Sequence, residues 1–222
     1  MVVWDNIDTV LLDMDGTLLD LNYDNFFWQV YLPGKWGALY DLDPVVARDR
    51  LIPKFNSKKG TLSWYCLDYW SEELNIDVFA LNTDLEDLIE IRPYAEQFLL
   101  FLNSLGKQVV LVTNAHQKLL TLKMERTGID RYFDQIVCAH ALGAAKEEPA
   151  FWHRLNEEID FVPERTILID DNLTVLRTAR DYGLSYLLTI ERPDSQRPAR
   201  DSAEFTAITS FEGLFNPDIS TA

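Results

Sequence analysis

Two aspartates, Asp13 and Asp15, stand two residues apart directly after a short apolar run, and a glycine and a threonine follow them. Extended residues at positions i and i+2 share a face, so both carboxylates can approach one hard cation such as Mg²⁺. A carboxylate beside such a cation can accept a phosphoryl group while a neighbouring acid moves the proton between leaving group and water. The spacing therefore favours Asp13 as a nucleophile and Asp15 as a general acid and base. A solvated turn that binds nothing is the simpler alternative for an isolated pair.

The apolar run before this pair, Thr9 to Leu12, predicts a short strand that is buried on both faces. Similar runs predict four more buried strands, near residues 108–113, 135–139, 163–169 and 183–188. Helical patterns separate them, so we expect an α/β fold of the Rossmann-like type, a parallel sheet flanked by helices. Ligands of such sheets lie at the carboxyl ends of the strands.

Further polar side chains follow these strands: Thr113 and Asn114 after the second, Lys146 in the loop after the third, and Asp170 and Asp171 after the fourth. A threonine hydroxyl and nearby backbone N–H groups can hold the oxygens of a phosphoryl group, and converging acids can complete a magnesium site. Ordinary alternatives exist for each of them. The threonine and the acids can cap the helices that follow, and the lysine can be solvated.

Composition limits the partners of the chain. Its 222 residues are 47% hydrophobic, as in a globular protein with a core, and a formal charge of −16 disfavours nucleic acid polymers and anionic membranes. An anionic substrate then needs a metal or local cations at the site. Cys66 and Cys138 belong to no metal-binding or disulfide pattern, which favours a reducing compartment. We expect a cytoplasmic location, because no secretory-type segment or membrane-spanning apolar run is present.

In their order along the chain, the acid pair, the Thr-Asn pair, the lysine and the second acid pair resemble the four signatures of the haloacid dehalogenase (HAD) superfamily, whose members are mostly phosphatases. The resemblance implies that Thr113 binds the phosphoryl group with Asn114 beside it. It also implies that Lys146 neutralises both the nucleophile and the phosphoryl group. The third signature departs from the usual pattern, because two glutamates separate Lys146 from Pro149.

The same resemblance implies Mg²⁺ as the cofactor. Its ligands would be Asp13, the backbone carbonyl of Asp15 and Asp171, with Asp170 lying behind them. Dehalogenases of the superfamily need the nucleophilic aspartate but no second acid two residues later. Asp15 therefore favours phosphoryl transfer to water.

Residues 20–90 are rich in aromatic side chains and contain no run typical of a buried strand. Their patterns predict helices near 24–31, 43–55, 61–74 and 83–90, the second of them broken or ended near Pro53. An insert of this size after the first strand resembles the helical cap of one HAD branch. It implies a cap at 20–90 and a core made of residues 1–19 and 91–222.

Trp64 projects away from the apolar stripe of its predicted helix. It either packs against another helix of the same segment or stacks on a planar substrate group such as a nucleobase. The stretches 20–28 and 64–72 resemble the bacterial GMP/IMP nucleotidases of the superfamily. That likeness implies a substrate among the purine nucleoside monophosphates.

These observations predict a Mg²⁺-dependent phosphomonoesterase that forms an aspartyl-phosphate, most simply a purine 5′-nucleotidase. The alternatives are another small-molecule phosphatase or phosphomutase, acting on a sugar phosphate or phosphoglycolate, and a non-catalytic nucleotide-binding regulator. His116 is expected to be solvated in the first turn of a helix, and the alternative is that it faces the site. The polar stretch 191–201 is expected to be an exposed connector, and the alternative is that it adds cations for a substrate at the catalytic edge.

Overall fold

A six-stranded parallel sheet forms the centre of the computed structural model, which describes residues 2–216. The strands are β1 (Thr9–Leu12), β2 (Gln108–Thr113), β3 (Gln135–Cys138), β4 (Thr166–Ile169), β5 (Tyr186–Ile190) and β6 (Thr206–Ile208). Their order is β3-β2-β1-β4-β5-β6, so β1 lies between β2 and β4. The strand order reverses beside β1, and such a switch point is where open α/β sheets bind their ligands.

Helices connect the first five strands and make up most of the segment 20–90. They are α1 (Asn22–Phe26), α2 (Leu32–Leu39), α3 (Pro44–Asn56), α4 (Leu62–Tyr65), α5 (Leu67–Leu74), α6 (Val78–Thr83), α7 (Ala95–Ser104), α8 (Gln117–Thr127), α9 (Ala139–Leu142), α10 (Pro149–Ile159), α11 (Leu173–Tyr182) and α12 (Glu212–Phe215). Every helix within residues 2–216 is too short or too polar to span a bilayer.

The sheet is covered on both faces, which confirms the expected α/β fold. Alternate residues of β1 enter different hydrophobic clusters, Val10 and Leu12 one of them and Leu11 the other. The first cluster also contains apolar side chains of α7, α8 and the segment 20–90, and the second contains those of α10 and α11. A strand buried on both faces reads as a continuous apolar run, because neither face meets water.

The segment 20–90 leaves and rejoins the rest of the chain at one place. Leu19 and Ile91 form an antiparallel bridge, and the N–H of Asp20 donates to the carbonyl of Glu90 at 2.9 Å. The N–H of Arg92 donates to the carbonyl of Leu18, also at 2.9 Å. The two connections between the segment 20–90 and the rest of the chain are therefore held side by side at the carboxyl edge of the sheet.

Several helix boundaries differ from the expected ones for local reasons. Pro53 lies inside α3, which continues to Asn56, and a π-helical turn joins α1 to α2. The helix expected over 61–74 is broken at Cys66, whose extended backbone ends α4 and whose sulfur accepts the N–H of Tyr69. In the stretch expected as a helix at 83–90, only a short 3₁₀ turn, Glu86–Leu88, forms.

The last two strands also differ from the expectation. Strand β5 begins at Tyr186, because Gly183 adopts a φ of +121° at the end of α11 and the chain turns there. Strand β6 was not predicted as a strand. It is three residues long and partly exposed, so its apolar pattern is too short to distinguish it from a loop.

We predict opposite outcomes for two neighbouring leucines of α7. Leu99 is fully buried against the sheet, whereas Leu100 is 54% exposed. Leu99→Ala should lower the free energy of unfolding by about 2 to 5 kcal/mol, because it opens a cavity. Leu100→Ala should change it by less than about 0.5 kcal/mol. Urea unfolding at 25 °C measures both, and equal effects would contradict the orientation of α7.

Candidate active site

Asp13 directly follows β1 and is buried. Its backbone N–H donates to the carbonyl of Ile169 at 3.0 Å, which continues the pairing of β1 with β4. One carboxylate oxygen accepts the Thr17 hydroxyl at 3.0 Å, and the other accepts the Lys146 ammonium at 2.6 Å. The carboxylate of Asp13 is thus held in one orientation at the carboxyl edge of the sheet.

Lys146 lies beneath this carboxylate and is not solvated. Its side chain is only 2% exposed, and its Nζ donates to Asp13, to Asp170 at 2.7 Å and to the Val112 carbonyl at 3.1 Å. Burial by itself lowers the pKa of this ammonium, but the charges of Asp13 and Asp170 outweigh it and raise that pKa. The lysine therefore stays charged at this place.

Three carboxylates converge above the lysine. Asp13, Asp170 and Asp171 each offer an oxygen atom, and these atoms lie within 4.8 Å of one another. Burial raises the pKa of Asp170 to about 7, with Lys146 opposing and Asp13 adding to the effect. Burial, followed by the charges of Asp13 and Asp170, also raises the pKa of Asp171. Such a crowded set of hard oxygen donors fits a cation such as Mg²⁺ or Mn²⁺.

The two consecutive acids have different surroundings. Both oxygens of Asp170 already accept hydrogen bonds, one from Lys146 and one from the N–H of Asn172 at 2.7 Å. The Asp171 carboxylate lies 3.6 Å from a guanidinium nitrogen of Arg200, and its backbone N–H donates to the Thr17 hydroxyl. Asp171 therefore has the freer carboxylate for a ligand.

The Asp15 carboxylate is directed elsewhere. It accepts a hydrogen bond from Lys123 at 2.6 Å and is not part of the converging group, so the expectation that the side chains of Asp13 and Asp15 approach one cation was wrong. The chain is not extended between them, because Met14 begins a tight turn that continues through Gly16 with a φ of +82°. Burial raises the pKa of Asp15 to about 7, with Asp24 adding to the effect and Lys123 opposing it.

Thr113 and Asn114 lie at the same edge. The Thr113 hydroxyl accepts the N–H of Ala115 at 3.0 Å in the loop before α8, whose N-cap is His116, and Thr113 also lines the cavity described below. Asn114 accepts the backbone N–H of Lys146 at 2.9 Å and so fixes the lysine loop. Asn114 thus acts on Asp13 through Lys146.

Glu147 explains the departure of the third signature from the usual pattern. It accepts hydrogen bonds from Asn114 at 2.8 Å, from Asn172 at 3.0 Å and from the Tyr65 hydroxyl at 2.5 Å. The inserted glutamate therefore joins two loops of the sheet edge to the segment 20–90. Nothing in the sequence around Lys146 indicated this role, because its three partners are distant in sequence.

A cavity of about 560 Å³ opens above these residues. Its floor contains Asp13, Asp15, Thr113, Lys146, Asp170 and Asp171, and its walls include Trp28, Arg48, Phe55, Asn56, Lys59, Trp64 and Tyr65. Trp64 also lines a small aromatic pocket with Trp28, Phe55 and Trp70. The chemistry-bearing acids and the aromatic residues of segment 20–90 thus face one space, which is large enough for a small organic molecule.

The expectation that His116 is solvated was wrong, and the expectation that residues 191–201 form an exposed connector holds for most of them. His116 is the N-cap of α8, where burial lowers its pKa; its ring lies 3.6 Å from Asp68, and it lines the cavity. Within the stretch 191–201, Pro193 and Asp194 are buried, and Arg200 lines the cavity. The Asp194 carboxylate and the Pro193 carbonyl accept hydrogen bonds from the segment 20–90.

Lys123 is a further residue that sequence reasoning missed. It is fully buried and contacts both Asp15 and Asp24. A signal existed, since Lys123 lies four residues after Leu119 and three after Leu120, on the apolar side of α8. A lysine at a position where the helical period requires an apolar residue indicates a buried ion pair or a site.

Comparison with known proteins gives a consistent result. The family model for haloacid dehalogenase-like hydrolases matches residues 7–183. The chain is 42% identical over 194 residues to the GMP/IMP nucleotidase YrfG of Escherichia coli (strain K12), covering 87% of each chain. It is 21% identical over 222 residues to the phosphorylated carbohydrates phosphatase of Thermotoga maritima, covering 95% of this chain and 97% of that one.

The solved structure of an HAD phosphatase from Thermococcus onnurineus superposes with a TM-score of 0.76 over 94% of this chain and 96% of that one. At 21% identity this likeness shows the fold. Together with the extent of the family match, the 42% identical relative confirms the resemblance seen in the four signatures. The chain belongs to the haloacid dehalogenase-like hydrolase family.

Proposed function

We propose that this hydrolase is a Mg²⁺-dependent 5′-nucleotidase that releases phosphate from purine nucleoside monophosphates such as GMP and IMP. The observation that carries the proposal is the buried Lys146 ammonium between Asp13 and Asp170, at the floor of a cavity with aromatic walls. A nucleoside monophosphate has the two matching ends, an anionic phosphate and a planar base. The 42% identical GMP/IMP nucleotidase supports the purine assignment.

The proposal divides the chain into a core, residues 1–19 and 91–222, and a cap, residues 20–90. The bridge between Leu19 and Ile91 supports the boundary, because both crossings of the chain lie there. The cap would enclose the leaving group, since its aromatic side chains line the same cavity as the acids.

The ligands proposed for Mg²⁺ are Asp13, Asp171 and the backbone carbonyl of Asp15. Asp170 is not proposed as a direct ligand, because its two oxygens already accept hydrogen bonds from Lys146 and from the backbone N–H of Asn172. Bound there, Mg²⁺ would reduce the repulsion among the acids and draw negative charge from the phosphoryl group.

The protein side chains would carry out the covalent steps. Asp13 attacks phosphorus in line, the bond from phosphorus to the ribose oxygen breaks, and Asp15 gives that oxygen its proton. Asp15 then takes a proton from the water that hydrolyses the aspartyl-phosphate. Thr113 would hold a phosphoryl oxygen, and the charge of Lys146 would neutralise both the nucleophile and the phosphoryl group. Thr17 and Lys146 keep the Asp13 carboxylate aligned.

Trp64 is proposed to receive the base together with Trp28. Both indoles line the cavity. An indole face stabilises a bound purine by stacking on its ring, without hydrogen bonds to the base. A small sugar phosphate would leave this aromatic wall without a partner.

The first prediction concerns turnover. With Mg²⁺, the protein should release phosphate from GMP and IMP with a higher kcat/KM than from AMP, pyrimidine monophosphates, sugar phosphates or phosphoglycolate. Asp13→Asn should lower turnover by more than about 1000-fold while the protein still folds, because an amide is not a nucleophile here. Asp5→Asn, at an exposed position, is the matched control.

Phosphate release that is no greater than in an EDTA control would overturn the enzymatic function. A preference for sugar phosphates would overturn only the purine assignment.

The second prediction concerns the metal site. A Cβ on Gly16 would lie 2.8 Å from Cγ of Asp171, whereas one on Gly106 meets nothing within 4 Å, and both glycines have positive φ. Gly106→Ala should cost about 1 kcal/mol of stability, and Gly16→Ala should cost more, because its Cβ also overlaps Asp171 and Pro193. Only Gly16→Ala should weaken Mg²⁺ binding, by about 10-fold, because it displaces the Asp171 carboxylate. Isothermal titration calorimetry with Mg²⁺ measures this, and equal affinities in the two variants would contradict the assignment of Asp171.

The third prediction concerns the base. Trp64→Leu should lower kcat/KM for GMP by about 5- to 150-fold, the range expected for one lost stacking contact. The same variant should hydrolyse a small phosphate ester without a base at nearly the original rate. Trp36→Leu is the matched control, because Trp36 lies in α2 and does not line the cavity. Equal losses on both esters would mean that Trp64 only supports the fold.

A further inference from the structure

A second buried lysine lies outside the four signatures. Lys123, on α8, is 1% exposed, and its ammonium donates to Asp15 at 2.6 Å and to both oxygens of Asp24 at 2.8 and 2.9 Å. The ammonium also lies 4.8 Å from the centre of the Tyr23 ring, within range of a cation–π contact. All of these contacts are made inside the protein.

These partners come from three different parts of the fold. Asp15 belongs to the turn after β1, Lys123 to a helix that packs on the sheet, and Asp24 and Tyr23 to α1, the first helix of segment 20–90. The Tyr23 hydroxyl hydrogen-bonds to the carbonyl and side chain of Asn82 at 3.1 and 2.9 Å, which ties α1 to α6. The position of Asp24 is therefore set by the helical segment as a whole.

A buried ammonium loses several kcal/mol of hydration, and carboxylate partners must replace it. One carboxylate, Asp24, contacts it with both oxygens, so the contact with Asp15 is a second one that also fixes the direction of the Asp15 side chain. Without Lys123, the Asp15 carboxylate would be repelled by Asp24 and by Asp13 and would turn to another orientation.

We propose that Lys123 is a positioning residue, which links the orientation of the Asp15 carboxylate to the seating of segment 20–90 through Asp24. The inference rests on the proposed function, in which Asp15 gives a proton to the leaving oxygen as the bond to phosphorus breaks and the bond from phosphorus to Asp13 forms. In this arrangement, the acid is correctly placed only when the segment that encloses the leaving group is seated on the sheet.

The test compares two substrates that share a base and differ in the leaving atom. In inosine 5′-phosphate, the leaving group departs through an oxygen that needs a proton. In the analogue with a bridging 5′ sulfur, the leaving group departs as a thiolate and needs none. For Lys123→Met, kcat/KM should fall by about 10- to 100-fold with the oxygen ester and by less than about 3-fold with the sulfur ester, because general acid catalysis contributes about 10² to 10⁴. Asp24→Asn should show the same pattern with a smaller loss.

Two control variants distinguish the positioning of Asp15 from two other effects, the loss of a buried charge and a general loosening of segment 20–90 from the sheet. The double variant Lys123→Met/Asp24→Asn removes one charge of each sign, so it should recover thermal stability but not turnover of the oxygen ester. Lys118→Met, on the same helix, breaks an exposed ion pair with Asp68 of segment 20–90 and should leave both substrates unaffected.

Equal losses on the two esters, or full recovery in the double variant, would overturn the role of Lys123. If Lys123→Met does not fold, Asp24→Asn decides on the same comparison, because it removes the charged partner of Lys123 on segment 20–90 and leaves the buried ammonium paired with Asp15. A wild-type protein that hydrolyses neither ester would instead overturn the proposed function.

Discussion

The interaction on which the site depends is the contact of the buried Lys146 ammonium with Asp13 and Asp170. Two unit charges 4.8 Å apart repel by about 3 kcal/mol at an effective dielectric constant near 20, so three converging carboxylates could not remain together unbalanced. One lysine offsets part of this charge. The remainder explains why burial and like charge raise the pKa of Asp170 and Asp171, and why a divalent cation fits the space between them. In a chain with a net charge of −16, such local cations also determine whether a phosphate ester can approach.

The parallel register of the sheet brings these groups together. Leu12 is paired with Leu111 on one side and with Ile169 on the other, so the residues that follow β1, β2 and β4 reach one edge. This much could be predicted from the sequence, because the two acid pairs and the Thr-Asn pair stand at the ends of apolar runs and parallel strands share the direction of their ends. The α/β fold follows from the same pattern. Lys146 stands in a loop after β3 and was assigned to the site from the family resemblance. Strand β6 could not be predicted, since its three partly exposed residues show no clear alternation of apolar and polar side chains.

The orientation of individual side chains was less accessible to sequence reasoning. Asp15 was expected to point with Asp13, but its carboxylate contacts Lys123, which lies 108 residues away in the chain. Glu147 appeared to be an interruption of a motif, yet it bonds to Tyr65 and Asn172, 82 and 25 residues distant. Local periodicity describes which face of an element is buried and says nothing of which partner meets it there. Long-range polar pairs of this kind are therefore visible only in the folded structure.

The contacts between segment 20–90 and the sheet fall into two classes. Exposed ion pairs, such as Lys118 with Asp68, are screened by water and contribute less than about 1 kcal/mol each. The contact of Lys123 with Asp24 involves a fully buried ammonium, and breaking it is far more costly because a buried charge loses a partner. The contact of Glu147 with Tyr65 is partly buried. Lys123 also donates to Asp15, and Glu147 directly follows Lys146 in the chain. These two contacts therefore join the segment to the sheet beside the candidate site.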